Sequence, residues 1–165
     1  MSRRILLGLL AVLLLIQVFR PAKNSRPGPQ PHNVTALYPA PAGVQAVLER
    51  ACYDCHSNNT RYPWYTEVQP VAGWYGRQVT EGLEHGNFDE FRNLPPRRQI
   101  GFLERCIDQV TRREMPPSGY TALRREATLS VDEVQALAAW ARDVQRQIRA
   151  AALPADSAGA AADRR

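Results

Sequence analysis

The chain has 165 residues, 44% of them hydrophobic, which leaves room for one domain with extensions and a real core. Its formal charge of +5 is gathered at one end: residues 1–29 hold Arg3, Arg4, Arg20, Lys23 and Arg26 and no acid, and the rest is balanced. A neutral domain offers no basic face to a phosphate backbone, so nucleic acid is excluded as a partner.

Arg3 and Arg4 precede an apolar run from Ile5 to Phe19 that only Gln17 breaks. This is the charged and apolar order of an export signal. No small-x-small cleavage site follows, since the next residues are Arg20-Pro21-Ala22-Lys23. The expectation is therefore a signal anchor over residues 1–20, in preference to a removed peptide. It would tie the chain to the inner membrane with the domain facing the periplasm. Fifteen residues make a helix of about 22 Å against a hydrocarbon core of about 30 Å, so flanking Arg4 and Arg20 would have to snorkel. Residues 21–42 hold Pro21, Pro27, Pro29, Pro31, Pro39 and Pro41 and read as an extended tether.

The expected domain covers residues 43–150. Its first helix runs from Gly43 to His56, with Val44, Val47, Leu48 and Ala51 at helical spacing. That helix ends on Cys52-Tyr53-Asp54-Cys55-His56, a CxxCH, the spacing that attaches a c-type haem. Two thiols add to the haem vinyl groups and the imidazole binds iron. Positions i, i+3 and i+4 share one helix face, so all three side chains can reach one flat ligand.

After a loop over Ser57–Thr60 comes the aromatic cluster Arg61-Tyr62-Pro63-Trp64-Tyr65. A second helix is expected from Val68 to His85, with Pro70 in its first turn and Gly86 as its stop. A third is expected from Arg97 to Arg113, with Ile100, Leu103, Ile107 and Val110 as its apolar stripe and Met115-Pro116-Pro117 ending it. Ser118–Leu129 reads as loop. Ser130-Val131-Asp132-Glu133 is a capping box that opens a last helix to about Ala150, with Val134, Leu137, Ala141, Val144 and Ile148 on one side. Residues 151–165 read as a disordered tail. Strand signals are nearly absent, so the fold class is all-α.

Two rival readings of the cysteines stand beside haem. A thioredoxin-like redox pair needs a strand before the motif in a βαβ setting, and the residues before Cys52 read as helix. A zinc site needs a fourth ligand, for which Cys106, His85 or His32 are available, but no second paired knuckle exists. Covalent haem is the preferred reading. Bacterial haem attachment to CxxCH takes place outside the cytoplasmic membrane, which agrees with an export segment.

A haem iron bound by His56 can take a sixth ligand. Met115 is the only methionine besides Met1, and it lies on a polar stretch beside two prolines. It is the expected second ligand, set against the reading of a Met as core filler. His85, at a helix end, and His32, in the tether, are the lesser candidates. The ring N–H of His56 needs a carbonyl or carboxylate acceptor, and Pro63 or Pro70 are the expected sources. Arg61 or Arg77 are candidates to pair with a haem propionate. Trp64, Tyr65, Trp74, Tyr75 and Tyr120 are candidates to line the haem, whereas Trp140 reads as core. Cys106 reads as a buried free thiol.

Over roughly residues 30–145 the chain resembles the bacterial haem-binding domain proteins, which are cytochrome-c-like. The residues that carry the resemblance are Cys52-Tyr53-Asp54-Cys55-His56-Ser57, then Thr60-Arg61-Tyr62-Pro63-Trp64-Tyr65. Pro70, Gly82, Met115-Pro116, Tyr120, Leu129-Ser130 and Trp140 follow, behind the short anchor ending near Ile16-Gln17-Val18-Phe19-Arg20-Pro21. The resemblance implies a mostly helical domain with one c-type haem and its iron, His56 as one axial ligand and Met115 as the other. It supplies no physiological role and no redox partner. Three functions follow as expectations: one-electron transfer by a membrane-tethered cytochrome, a haem sensor or peroxidase-like enzyme with an open sixth site, and a haem-stabilised interaction module.

Overall fold

The structure, a computed structural model, describes residues 2–162, with side chains through Ala152. In chain order its helices are α1 (Arg3–Ile16), α2 (Val34–Leu37), α3 (Ala42–Val47), α4 (Tyr53–His56), α5 (Val71–His85), α6 (Pro96–Thr111), α7 (Ser118–Leu123) and α8 (Val131–Ala162). A π-helical turn, Leu48–Cys52, joins α3 to α4, and tighter 3₁₀ turns form at Trp64–Glu67, Phe88–Asn93 and Arg125–Ala127. Among the described residues the only β pairing is an isolated antiparallel bridge between Ser25 and Asn59. The chain is all-α, as its composition implies. It divides into two compact units: Met1–Gly28 with Asp54–Asn87, and Pro29–Tyr53 with Phe88–Arg165.

The second unit holds the main hydrophobic core. α6 packs along α8, and α3 packs on α8 as well. Leu48, Phe91, Leu103, Leu137 and Val144 are fully buried among them. Phe102 sits edge-on to Phe88 and Phe91, with centroids 4.9 and 5.8 Å apart, the geometry that ring quadrupoles favour. Leu137, Ala141, Val144 and Ile148 of α8 are buried as the helical period requires. The capping box forms: Glu133 N–H donates to Ser130 Oγ at 3.2 Å, and Ser130 N–H donates to the Glu133 carboxylate at 2.8 Å. That carboxylate also accepts from Arg50 in the π-helical turn at 2.7 Å, which ties the turn to the start of α8. The Ser130 amide first, and Arg50 with it, hold the Glu133 carboxyl below the usual range.

The first unit is built on α5, whose Ala72, Tyr75, Val79 and Gly82 are buried. The residues after α1 are not a tether. Gln17 bridges to the backbone of Gln69, accepting from its N–H at 3.0 Å and donating to its carbonyl at 3.3 Å. Arg20 bonds the Glu67 carbonyl, and Lys23 pairs with the Glu67 carboxylate at 2.5 Å. Pro21 lies against α5 at Gly76, where a Cβ would come within 2.9 Å of the proline ring. Asn24 N–H donates to the Tyr62 hydroxyl at 2.7 Å, and Arg26 N–H to the Asn58 carbonyl at 3.0 Å. This strap ends at Gly28, whose φ of 116° glycine alone adopts readily.

Several boundaries differ from the sequence reading, each for a local reason. The expected tether 21–42 belongs to both units. Beyond the strap, Val34 is wholly buried in the second unit, and Asn33 caps α2 through the Thr35 N–H at 2.8 Å while donating to Asp89 at 2.6 Å. Proline content signals extension, but the apolar and Asx residues between the prolines supply packing and caps. α5 starts at Val71, after a separate turn at Trp64–Glu67. α6 begins one residue early because Pro96 can occupy its first turn. It ends at Thr111, before Met115. The Ser118–Leu129 stretch contains α7 and a 3₁₀ turn where loop was expected. α8 continues to Ala162, twelve residues past its expected end near Ala150 and through Pro154 and Gly159. The last part of the expected tail, residues 163–165, lies outside the described residues.

Removing the cap should be felt. Ser130→Ala is expected to lower unfolding free energy by about 1 kcal/mol, read as a lower denaturation midpoint at unchanged slope.

Candidate functional site

The CxxCH lies on a helix whose phase changes just before it. In an unbroken α-helix Cys55, eleven residues after Val44, would fall within ~20° of the stripe formed by Val44, Val47 and Leu48. Those three are buried in the second unit's core. The π-helical turn adds about one residue to the helix, a rotation of ~100°. Cys55 and His56 therefore leave the core stripe. Cys52, at the end of the turn, stays half-buried against the second unit's core, and Tyr53 packs beside it on Phe88 at 5.7 Å. Burial raises the Tyr53 hydroxyl above its ordinary value.

Cys55 and His56 are cradled by the end of α5. A Cβ at Gly82 would stand 2.4 Å from the Cys55 carbonyl oxygen and 2.9 Å from its Cβ, so only glycine allows the two backbones to approach this closely. One turn further, the Gly86 carbonyl lies 2.9 Å from His56 Nδ1. The tautomer with its proton on Nδ1 makes this a hydrogen bond and leaves the Nε2 lone pair as the ring's metal-binding electron pair. Burial pushes the His56 ring below its ordinary value, against the opposing pull of the Gly86 and Gly82 carbonyls, so the imidazole is neutral at pH 7. The acceptor is thus Gly86, and neither Pro63 nor Pro70 as expected. Gly82 and Gly86 lie four residues apart, the spacing of a single helix face, so the signal was present in the sequence as a glycine pair at the end of α5.

Between the cysteines, Asp54 is buried and fastens the following loop. Its carboxylate accepts from Arg61 Nε at 3.0 Å and lies 3.4 Å from the Tyr75 hydroxyl, while its carbonyl accepts from Thr60 Oγ1 at 2.7 Å. Tyr75 also donates to the Arg61 carbonyl at 2.9 Å. Arg61, a candidate propionate partner, is engaged with Asp54, and Arg77 is exposed on α5.

Burial, with Asp54 adding to it, pushes the Cys55 thiol up to about 12. A dithiol oxidoreductase needs the opposite, a thiolate at neutral pH. The described residues also lack the strand that such a fold places before its motif. Cys52, Cys55 and Cys106 form no disulfide. Cys106 borders the second unit's core, and burial pushes its thiol up to about 11. Among the described residues no three His, Cys, Asp or Glu side chains gather to hold a metal ion, which leaves the zinc reading without support. Haem makes no such demand, because the porphyrin itself supplies four nitrogen ligands.

Met115 lies in the second unit, half-buried against its core. The end of α6 sets its backbone. Arg113 N–H donates to the Val110 carbonyl at 3.2 Å and Glu114 N–H to the Gln109 carbonyl at 3.0 Å, the paired bonds of a Schellman motif. Arg113 takes the left-handed position usually given to glycine, with φ of 59°. Met115 N–H bonds the same Gln109 carbonyl at 3.2 Å. His85 is exposed at the end of α5, as expected, and His32 is half-buried, its carbonyl accepting from Arg92 N–H, rather than solvated in a tether. Trp140 is core, as its position on α8 implies, and its buried Nε1 has no hydrogen-bond partner.

A helix-borne CxxCH outside any disulfide and an imidazole oriented by a backbone carbonyl define a helical haem-binding module. The chain belongs to the Haem-binding domain family, whose sequence profile matches residues 11–143. No curated protein and no solved structure matches it. The residues present fit the group: no disulfide engages the two motif cysteines, and the proton on His56 Nδ1 would leave Nε2 to bind iron.

The glycine cradle makes a sharp prediction. Gly82→Ala is expected to cost about 1–3 kcal/mol and to lower haem loading several-fold, because the clash falls on backbone atoms. Gly43→Ala, where a Cβ meets nothing within 4 Å, should be neutral or slightly stabilising. Thermal melts and the haem-to-protein absorbance ratio of both variants check this.

Proposed function

We propose that the protein is a membrane-tethered, periplasm-facing c-type cytochrome that carries one electron at a time. The observation that carries the proposal is the His56–Gly86 bond at the end of an intact CxxCH. In this reading Cys52 and Cys55 hold one haem through thioethers, His56 is the proximal ligand and Met115 the distal one. When bound, the haem iron supplies a reversible ferric–ferrous couple. The chain's own residues do the rest: Gly86 fixes the ring of His56, Gly82 lets the Cys55 backbone seat against α5, and the Asp54–Arg61–Tyr75 network holds the loop after the motif. Filling both axial positions favours electron transfer over reaction at iron, and a thioether ligand raises the potential.

Tethering is supported by α1, which begins at Arg3-Arg4 and has no buried residue. No helix among the described residues is long and apolar enough to cross a membrane. The fourteen residues of α1 span about 21 Å, a length that suits the apolar region of an export signal. The strap from Arg20 to Arg26 is built into the first unit, which supports its retention in the mature protein.

One observation favours a second reading. Met115 packs against the core, as a gap-filling methionine would. With Met115 as filler, the sixth site is open and the domain is a haem sensor or a peroxidase-like enzyme.

Two measurements test these readings. After expression with a haem-ligating export system and denaturation, haem should stay with the polypeptide, and it should be lost on denaturation in a Cys52→Ala/Cys55→Ala variant. The ferric protein should show a weak far-red methionine–iron band that Met115→Leu abolishes. Haem extracted from the wild type by denaturation overturns covalent attachment. A high-spin ferric spectrum of the wild type overturns His/Met ligation and selects the open-site reading.

A further inference from the structure

The end of α1 is joined to a second exposed apolar feature. Every side chain of α1 but Ile16 is exposed, and Val18 and Phe19 beyond it are 78% and 74% exposed. In the same unit Trp64 is 79% exposed and Val68 is exposed. These two lie in the Trp64–Gln69 segment, which is pinned to the end of α1. Gln17 holds the Gln69 backbone through two hydrogen bonds, and the Gln69 side chain donates to the Phe19 carbonyl at 2.5 Å. Arg20 and Lys23 both reach Glu67, and Lys23 also lies over the Tyr62 ring at 5.2 Å. An exposed tryptophan, large aliphatic groups and fixed cations at the end of an apolar helix are the chemistry of a bilayer interface, where an amphipathic ring sits among headgroups and cations meet lipid phosphates. A monomer surface gains nothing from exposing a Trp beside Val and Phe.

We infer that Trp64 and Val68 dock on an anionic lipid bilayer, so that the unit carrying Cys55 and His56 rests on the membrane surface and is not held away from it. The inference rests on the membrane-tethered reading above and deepens it. Continuity carries it: the pinning contacts leave no flexible linker between the helix proposed to enter the bilayer and the 64–69 segment. Residues 1–29, which lead into the docking segment, carry five positive charges and no acid; Glu67 engages Arg20 and Lys23, and the remaining excess of positive charge matches an anionic headgroup.

The test is photolabelling of the full-length haem-loaded protein in phosphatidylglycerol–phosphatidylcholine vesicles that contain a diazirine phospholipid reactive near the headgroup. Trypsin separates the two regions, because cleavage after Lys23, Arg61 and Arg77 gives one peptide over residues 5–23 and another over 62–77. Both peptides are expected to carry label. In Trp64→Ser/Val68→Ser, label on 62–77 is expected to fall at least fivefold with label on 5–23 unchanged. Both substituted side chains are exposed, so the variant keeps its fold, and an unchanged haem spectrum checks this. Label on 5–23 with none on 62–77 in the wild type overturns the docking and leaves the tether standing, so that the exposed face is then open to a protein partner. Label on neither peptide overturns the tether as well.

Discussion

The approach of α5 to the end of the CxxCH helix is the constraint on which the first unit depends. Two backbones meet where a single methyl group would stand 2.4 Å from a carbonyl oxygen. That contact places the Gly86 carbonyl in range of His56 Nδ1 and so decides which ring nitrogen carries the proton. α5 is itself held at both ends of its length. Pro21 closes on Gly76, Tyr75 reaches across to Asp54 and the Arg61 carbonyl, and Gln69 is gripped by Gln17 before the helix begins. The strap after α1 is therefore part of what positions His56, although it does not touch the ring itself.

Much of this organisation was legible in the residues, and the exceptions have physical causes. The capping box at Ser130 and the apolar face of α8 were read correctly because each is a local pattern with one satisfactory geometry. The CxxCH was legible for the same reason. What failed was the inference from proline to tether. Prolines fix φ and remove donors, but they do not decide whether the residues between them are buried, and Val34 and Asn33 are. The acceptor for His56 is not legible in the sequence because a carbonyl belongs to every residue. Composition cannot choose among carbonyls, and the choice is made by a close approach that glycine permits. The π-helical turn was also illegible, since periodicity alone reads residues 43–56 as one regular helix. Its signal is a conflict: position 55 falls on the core stripe of Val44, Val47 and Leu48, yet it is the second cysteine of the CxxCH, whose spacing asks for a face open to a ligand.

The buried Asp54 shows how a polar residue can be structural inside a cofactor motif. A carboxylate removed from water is costly unless paired and hydrogen-bonded. Here the Arg61 guanidinium pairs with it and the Tyr75 hydroxyl lies beside it. The exposed side of Arg61 lets water share the charge, so the pair is worth less than a fully buried one. Its value lies in register. It ties the second residue between the cysteines to the loop seven residues on, and Tyr75 connects both to α5.

Met115 combines two properties that usually separate. Its side chain lies against a hydrophobic core, yet its backbone is fixed by the bonds that close α6. Arg113 occupies a left-handed conformation that costs a non-glycine residue about 1–2 kcal/mol. Two Schellman bonds and a contact from Arg113 Nη1 to the Leu129 carbonyl at 3.4 Å offset that cost. A core-filling methionine needs none of this, because its flexible side chain adapts to whatever gap is present. Local strain that the surroundings over-determine is the usual mark of a functional position. The backbone before Met115 is therefore fixed independently of its side chain, which packs on the second unit's core.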